Sequence, residues 1–171
     1  MADPFEGNWR IDLESGQCKT WDPKKEEYIP DPVGSENISI RVHDGVQDYE
    51  VLYGKEPTIR MGYTSRYDDT EWAPYSVRGI EGVPEERRVE AAAEFRERTM
   101  SPYAFEIGKP IGLVRTVYVD ERTHYRVSKS VADGAAEYIM LRRMAPDHQS
   151  YLITLLDVEG RILFVRRFVR A

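Results

Sequence analysis

One pattern dominates the chain: short runs in which apolar and polar residues alternate at every second position, separated by turn residues. A period of two marks a half-buried β-strand, because successive side chains leave opposite faces of a sheet. In the C-terminal half the pattern is almost continuous. Runs at 112–120, 123–131, 136–144, 150–157 and 161–169 are joined by short turns, among them Asp133-Gly134, Ala145-Pro146-Asp147 and Glu159-Gly160. Asp-Gly is a strong hairpin signal, since the tightest turns need left-handed backbone. Five evenly spaced strands of this kind predict an antiparallel meander.

The N-terminal half points the same way. Runs at 7–13, 37–43, 47–54, 58–67 and 71–78 read as strands, with Asp44-Gly45 turning the second into the third. Pro74 inside the last run makes it an edge or a bulged strand. A polar, proline-bearing stretch over 14–34 reads as a long loop or a capping segment. The total of about ten strands is enough to close a sheet on itself and remove its edges. The expected fold is all-β, an antiparallel up-and-down barrel forming one domain over 1–171.

One segment breaks the pattern. After Pro84, residues 85–99 combine high helix propensity with a proline at the expected first turn. The apolar side of this helix is thin: Val89, Ala92, Ala93 and Phe95. Glu94 and Arg98 stand four apart and can pair weakly. Such an insertion serves as a lid over a cavity mouth, as a subunit contact that would make a homodimer, or as plain packing.

Composition narrows the function classes. Hydrophobic residues make up 41% of the 171, enough for one real core, while a net charge of -6 argues against a nucleic-acid-binding face. The most apolar stretch, 151–156, is far shorter than the roughly 20 residues of a membrane-spanning helix. No basic segment followed by an apolar run opens the chain, so a cytoplasmic protein is expected. A lone cysteine, Cys18, allows no internal disulfide.

Gly7-Asn8-Trp9 matches the Gly-x-Trp signature of lipocalin-like (calycin) barrels, and DPFEGNWRID resembles the opening of small bacterial lipocalin-like domains. Residues 63–69, YTSRYDD, resemble their Tyr-x-x-x-Tyr-Asp-Gly strand end, with Asp69 in place of the glycine. The chain also closes on an arginine-bearing strand, RRFVR, as calycins do. The resemblance implies that Trp9 packs across the barrel base under an arginine of the last strand: Arg166, Arg167 or Arg170. It further implies an internal apolar cavity that takes small hydrophobic molecules. A minority of such proteins are cofactor-free enzymes or bind haem. The 14–34 stretch and the 85–99 helix depart from the pattern.

Alternation assigns the lumen. One face of 59–67 carries Ile59, Met61, Tyr63, Ser65 and Tyr67, and its composition marks it as inward. Tyr138, Met140, Arg142 and Met144 share a face opposite Ile139 and Leu141, which leaves the inward face of that strand open. Tyr125 and Val127 oppose His124, Arg126 and Ser128, while Phe164 and Phe168 share a face with Arg166. Eleven tyrosines make the lumen rich in phenols, which either fill the barrel outright or line a pocket. The expected ligand-binding set is Met61, Tyr63, Tyr67, Tyr125, Tyr138, Met140 and Phe164. An inward Arg142 or Arg166 needs a carboxylate partner or an acidic ligand.

Other chemistry is thinly represented. His43, His124 and His148 fall on separate elements without metal-ligand spacing, so no metal and no cofactor are expected. The chain has no phosphate-binding loop and no nucleophile elbow. If the protein is an enzyme, its groups suit cofactor-independent proton transfer, as in a lyase, isomerase or dehydratase. The candidates are Tyr63, Tyr67 and Tyr125 as proton donors, His124 as base and Arg142 as anion clamp. The leading expectation is a barrel that binds a small, largely apolar molecule; a third is an assembly module with a filled lumen.

Overall fold

Backbone hydrogen bonds close the alternating runs into a ring. The structure is a computed structural model describing residues 2–171. Its strands are β1 (Gly7–Ile11), β2 (Lys19–Asp22), β3 (Glu27–Pro30), β4 (Glu36–His43), β5 (Val46–Tyr53), β6 (Thr58–Arg66) and β7 (Ala73–Glu81). Helix α1 (Arg88–Thr99) follows, and then β8 (Pro110–Asp120), β9 (Thr123–Lys129), β10 (Ala136–Met144), β11 (Ser150–Asp157) and β12 (Ile162–Arg170). Strands β4 to β12 pair antiparallel in chain order, β1 pairs with β4, and β12 returns to β1 through Trp9↔Arg170 and Ile11↔Phe168. Ten strands therefore form a closed up-and-down barrel. The bulge expected near Pro74 appears as a register shift between Tyr75 and Ser76 against β8.

The 14–34 stretch differs from a loop. A short 3-10 turn at Leu13–Ser15 interrupts the first strand, after which β2 resumes along the same edge of β12 and β3 folds back on it. The inward face of this hairpin is polar: Thr20 and Asp22 are buried, and Thr20 donates to Asp31 at 2.9 Å. Strands whose buried face is polar carry no hydrophobic alternation to announce them.

Helix α1 forms where expected, with a different inner face. It buries Ala91, Ala92, Phe95 and Thr99, while Val89 is 84% exposed and Ala93 also faces out. Glu94 approaches Arg87 rather than Arg98. The anchor is Phe95, whose ring meets Tyr53 at 5.0 Å and Phe105 at 5.9 Å between centroids. No helix is long and apolar enough to cross a membrane, among the described residues.

One end of the lumen is filled with rings. Trp9 is fully buried, donates from Nε1 to the Phe5 carbonyl at 2.8 Å and meets Tyr151 edge-on at 4.7 Å. Arg170 lies 4.0 Å over the indole, which settles the choice among the three C-terminal arginines. Phe5 and Phe168 complete this base, both fully buried and both stacked or edged against Tyr151.

Candidate ligand-binding site

Beyond the base the barrel holds a cavity of about 300 Å³. Tyr49 and Val51 of β5, Met61 of β6 and Tyr75 of β7 line one side; Tyr138 and Met140 of β10, Ile153 and Leu155 of β11 and Phe164 of β12 line the other. Trp21 and Pro23 of the β2–β3 hairpin and residues 99–103, running off the end of α1, border its mouth. Of the three roles open to the helix, its C-terminal end thus contributes to the cavity wall.

Three arginines point inward: Arg166 is paired with carboxylates, whereas Arg142 and Arg126 are not, and each of those two leaves Nε and Nη1 without a partner among the described residues. Arg166 is fully paired: Nε donates to Asp31 at 2.6 Å, Nη1 to Glu36 at 2.9 Å and Nη2 to the Tyr53 hydroxyl at 3.0 Å. Burial pushes the Glu36 carboxyl up, against the pull of Arg166. Arg142 is fully buried beneath the cavity, and its Nη2 donates to Gln47 Oε1 at 3.0 Å. Arg126, 5% exposed, lines the cavity itself. Its Nε and Nη1 find no hydrogen-bond partner, and it has no carboxylate in salt-bridge range among the described residues. Four rings surround it instead, with Tyr75 at 4.7 Å, Tyr49 at 5.4 Å, and Tyr63 and Tyr138 at 5.6 Å from the guanidinium carbon. Cation–π attraction of this kind contributes about 0.5–2 kcal/mol per contact and accepts no conventional hydrogen bond, so it offsets only part of the several kcal/mol a buried charge costs.

The residues anticipated from alternation separate into three places. Met61, Tyr138, Met140 and Phe164 line the cavity. Tyr63, Tyr67, His124 and Arg142 lie in the base beneath it. There Tyr63 donates to Gln47 Oε1 at 3.1 Å, Gln47 Nε2 donates to the Tyr67 hydroxyl at 2.8 Å, and Tyr67 donates to Asp3 at 2.7 Å. Tyr125 is a correction. β9 buries Thr123, His124, Arg126 and Ser128, which puts Tyr125 and Val127 on the outer, half-buried face. The polar set is the inward one because the tyrosines of β5, β6, β7 and β10 solvate Arg126 with their ring faces, a compensation that β9 alone does not reveal.

Burial also sets protonation. His124 is inaccessible, both ring nitrogens lack a partner, and its pKa falls to about 3 through desolvation first and the Arg142 charge second. It is a neutral ring packed against Phe5 at 4.4 Å and Tyr67 at 4.9 Å. Burial raises the phenols of Tyr49, Tyr75 and Tyr138, so the cavity's hydroxyls stay protonated. Tyr63 is the exception: burial pushes it up, but Arg142 and Arg126 together bring it below the ordinary phenol value. His43 and His148 stand apart from this region, and no cluster of three or more His, Cys, Asp or Glu forms among the described residues.

Reading from the sequence missed Arg126, Tyr49 and Tyr75 as cavity residues. The signal for Tyr49 was present, since Gln47, Tyr49, Val51 and Tyr53 share one face of β5, and all but the partly accessible Tyr53 are fully buried.

No family model matches the chain, and no curated protein matches it. Among solved structures it is similar to the wild-type fluorescent protein UnaG, with a TM-score of 0.55 and 16% identity over 100% of both chains. With the closed ring of ten antiparallel strands and the Trp9–Arg170 stack at its base, the chain has the lipocalin-like (calycin) fold.

Proposed function

We propose that the barrel binds a small, largely apolar molecule, aromatic or isoprenoid-like, in its lumen. The observation carrying this reading is the 300 Å³ cavity, walled by tyrosine rings, three methionines and aliphatic side chains. That volume falls at the low end of pockets for small organic molecules, roughly 300–1,000 Å³. Left empty, an apolar void of such size would cost several kcal/mol of packing. Flexible methionines such as Met61 and Met140 adapt their shape to a guest more readily than branched side chains do.

A cofactor-independent lyase or isomerase in the same lumen would need a proton-transferring group on the cavity wall. Tyr63, Tyr67, Tyr125, His124 and Arg142 do not line it. The phenols that do are held protonated and can donate but not accept a proton, while the wall carboxyls are engaged, Glu36 by Arg166 and Glu137 by Ser128. Binding is therefore the reading the geometry favours.

Native mass spectrometry of the freshly purified protein tests it, together with titration of the neutral dye N-phenyl-1-naphthylamine. A copurified small molecule released on denaturation, and dye binding that Met140→Trp abolishes by filling the space, are the expected results. Dye binding that survives both Met140→Trp and Met61→Trp would move the site elsewhere and end the proposal.

A further inference from the structure

We infer that the lumen's ligand is a monoanion, an aromatic or otherwise apolar acid whose acidic group pairs with Arg126. This rests on the lumen-binding reading above and adds the charge of the ligand to it. Arg126, Arg142 and Arg166 are the three inward guanidiniums, each at most 5% exposed, and a guanidinium stays protonated even when buried. The two buried carboxylates facing them, Asp31 and Glu36, are both spent on Arg166. Arg142 likewise has no carboxylate partner among the described residues and leaves Nε and Nη1 unpaired, but it lies beneath the cavity and off its lining, with Nη2 donating to Gln47 Oε1 at 3.0 Å.

Arg126 remains as the unpaired buried charge on the cavity wall, with Nε and Nη1 unsatisfied. Glu137 shares that wall, but its Oε2 accepts from Ser128 at 2.8 Å and Tyr103 at 3.5 Å and lies outside salt-bridge range of Arg126. At the mouth Trp21 Nε1 is another buried donor without a partner. Arg161 also lines the cavity without a salt bridge among the described residues but is exposed at its mouth. Among the buried charges of the lining Arg126 alone lacks a carboxylate, and with the orphaned donors it complements one acceptor-rich anion. A carboxylate supplies the oxygen acceptors that Nε and Nη1 lack.

Calorimetric titration with 2-naphthoate and 2-naphthamide, near-isosteres differing in charge, tests the inference. The acid is expected to bind the native protein about tenfold or more tightly than the amide. That gap should close in Arg126→Gln, persist in part in Arg126→Lys, and be unchanged in Arg161→Gln, which removes the exposed arginine at the mouth. Equal binding of acid and amide, or a gap that survives Arg126→Gln or vanishes in Arg161→Gln, would overturn the assignment while leaving lumen binding intact. Failure of both compounds and of the neutral dye would remove the lumen reading, and this inference with it. If Arg126→Gln does not fold, the acid-to-amide ratio of the native protein decides by itself.

Discussion

Arg166 and Asp31 form a two-pronged buried pair: Nε reaches Oδ2 at 2.6 Å and Nη2 reaches Oδ1 at 3.2 Å, with both side chains almost inaccessible to water. Glu36 and Tyr53 complete the coordination of the same guanidinium. Four parts of the chain therefore meet at one charge: the segment after β3, the start of β4, the end of β5 and the last strand. Asp31 also caps Val33 N at 2.9 Å and accepts from Thr20, so the pair ties the β2–β3 hairpin to the barrel it borders.

Removing one side of such a pair leaves uncompensated charge in a dry place, which is costlier than the pair is worth. Arg166→Met strands two carboxylates and should lose about 3–5 kcal/mol in urea unfolding. The triple change Arg166→Met with Asp31→Asn and Glu36→Gln should recover part of that loss, because no bare charge remains. A loss below about 1 kcal/mol for Arg166→Met alone would show that the cluster is hydrated and open.

Gly54 forms the socket for the helix. Its φ is +87°, a left-handed conformation that side chains resist, and a Cβ there would strike the Phe95 ring and approach the Pro57 carbonyl to 2.8 Å. Gly54→Ala combines backbone strain with overpacking, about 2–4 kcal/mol in all. Because Phe95 anchors α1, the change should also speed amide exchange in residues 91–99 beyond that of the distant β10–β11 pair. Uniform acceleration across both would detach Gly54 from the helix.

Much of this architecture could be read from residues alone, for local reasons. Asp44-Gly45 turns β4 into β5 with both φ values positive, +50° and +74°, the geometry that this dipeptide favours. Met61 was legible because β6 buries an alternating, largely apolar face, whereas β10 alternates but buries Arg142 beside Tyr138 and Met140, which left its inward face open until the barrel closed. What escaped was interior polarity. β9 buries His124, Arg126 and Ser128 because aromatic rings on four other strands receive the guanidinium, a non-local arrangement that hydropathy reverses. The β2–β3 hairpin escaped for the same reason: Thr20 and Asp22 face inward on the strength of partners such as Asp31, which becomes a neighbour only once the barrel has closed.

Tyr63 should ionise ahead of the other buried tyrosines. Arg142 Nη2 lies 3.5 Å from its hydroxyl and Arg126 stands over its ring, and their combined charge outweighs desolvation. Spectrophotometric titration at the phenolate band should find an early one-tyrosine step that disappears in Tyr63→Phe and moves to higher pH in Arg142→Gln. A step unaffected by Tyr63→Phe would assign the low phenol elsewhere.

His124 makes the fold acid-sensitive, and the sign follows from its two states. Folded, it titrates near 3; unfolded, near 6.5. Between those values the unfolded chain binds a proton that the native one refuses, so stability falls as pH drops, by about 1.4 kcal/mol per pH unit, and is unaffected by this group above 6.5. The groups setting the shift are its own burial and Arg142, opposed weakly by Asp120, while Tyr67, Tyr118 and Phe5 pack on the ring. His124→Phe keeps an aromatic ring in that site and removes the proton. From pH 6.5 to 5.0 the native protein should lose about 2 kcal/mol more than the variant in urea unfolding, a window chosen above the range where most carboxylates titrate. Parallel losses in the two proteins would mean that the imidazole takes its proton in place, and that the base of the barrel is wet.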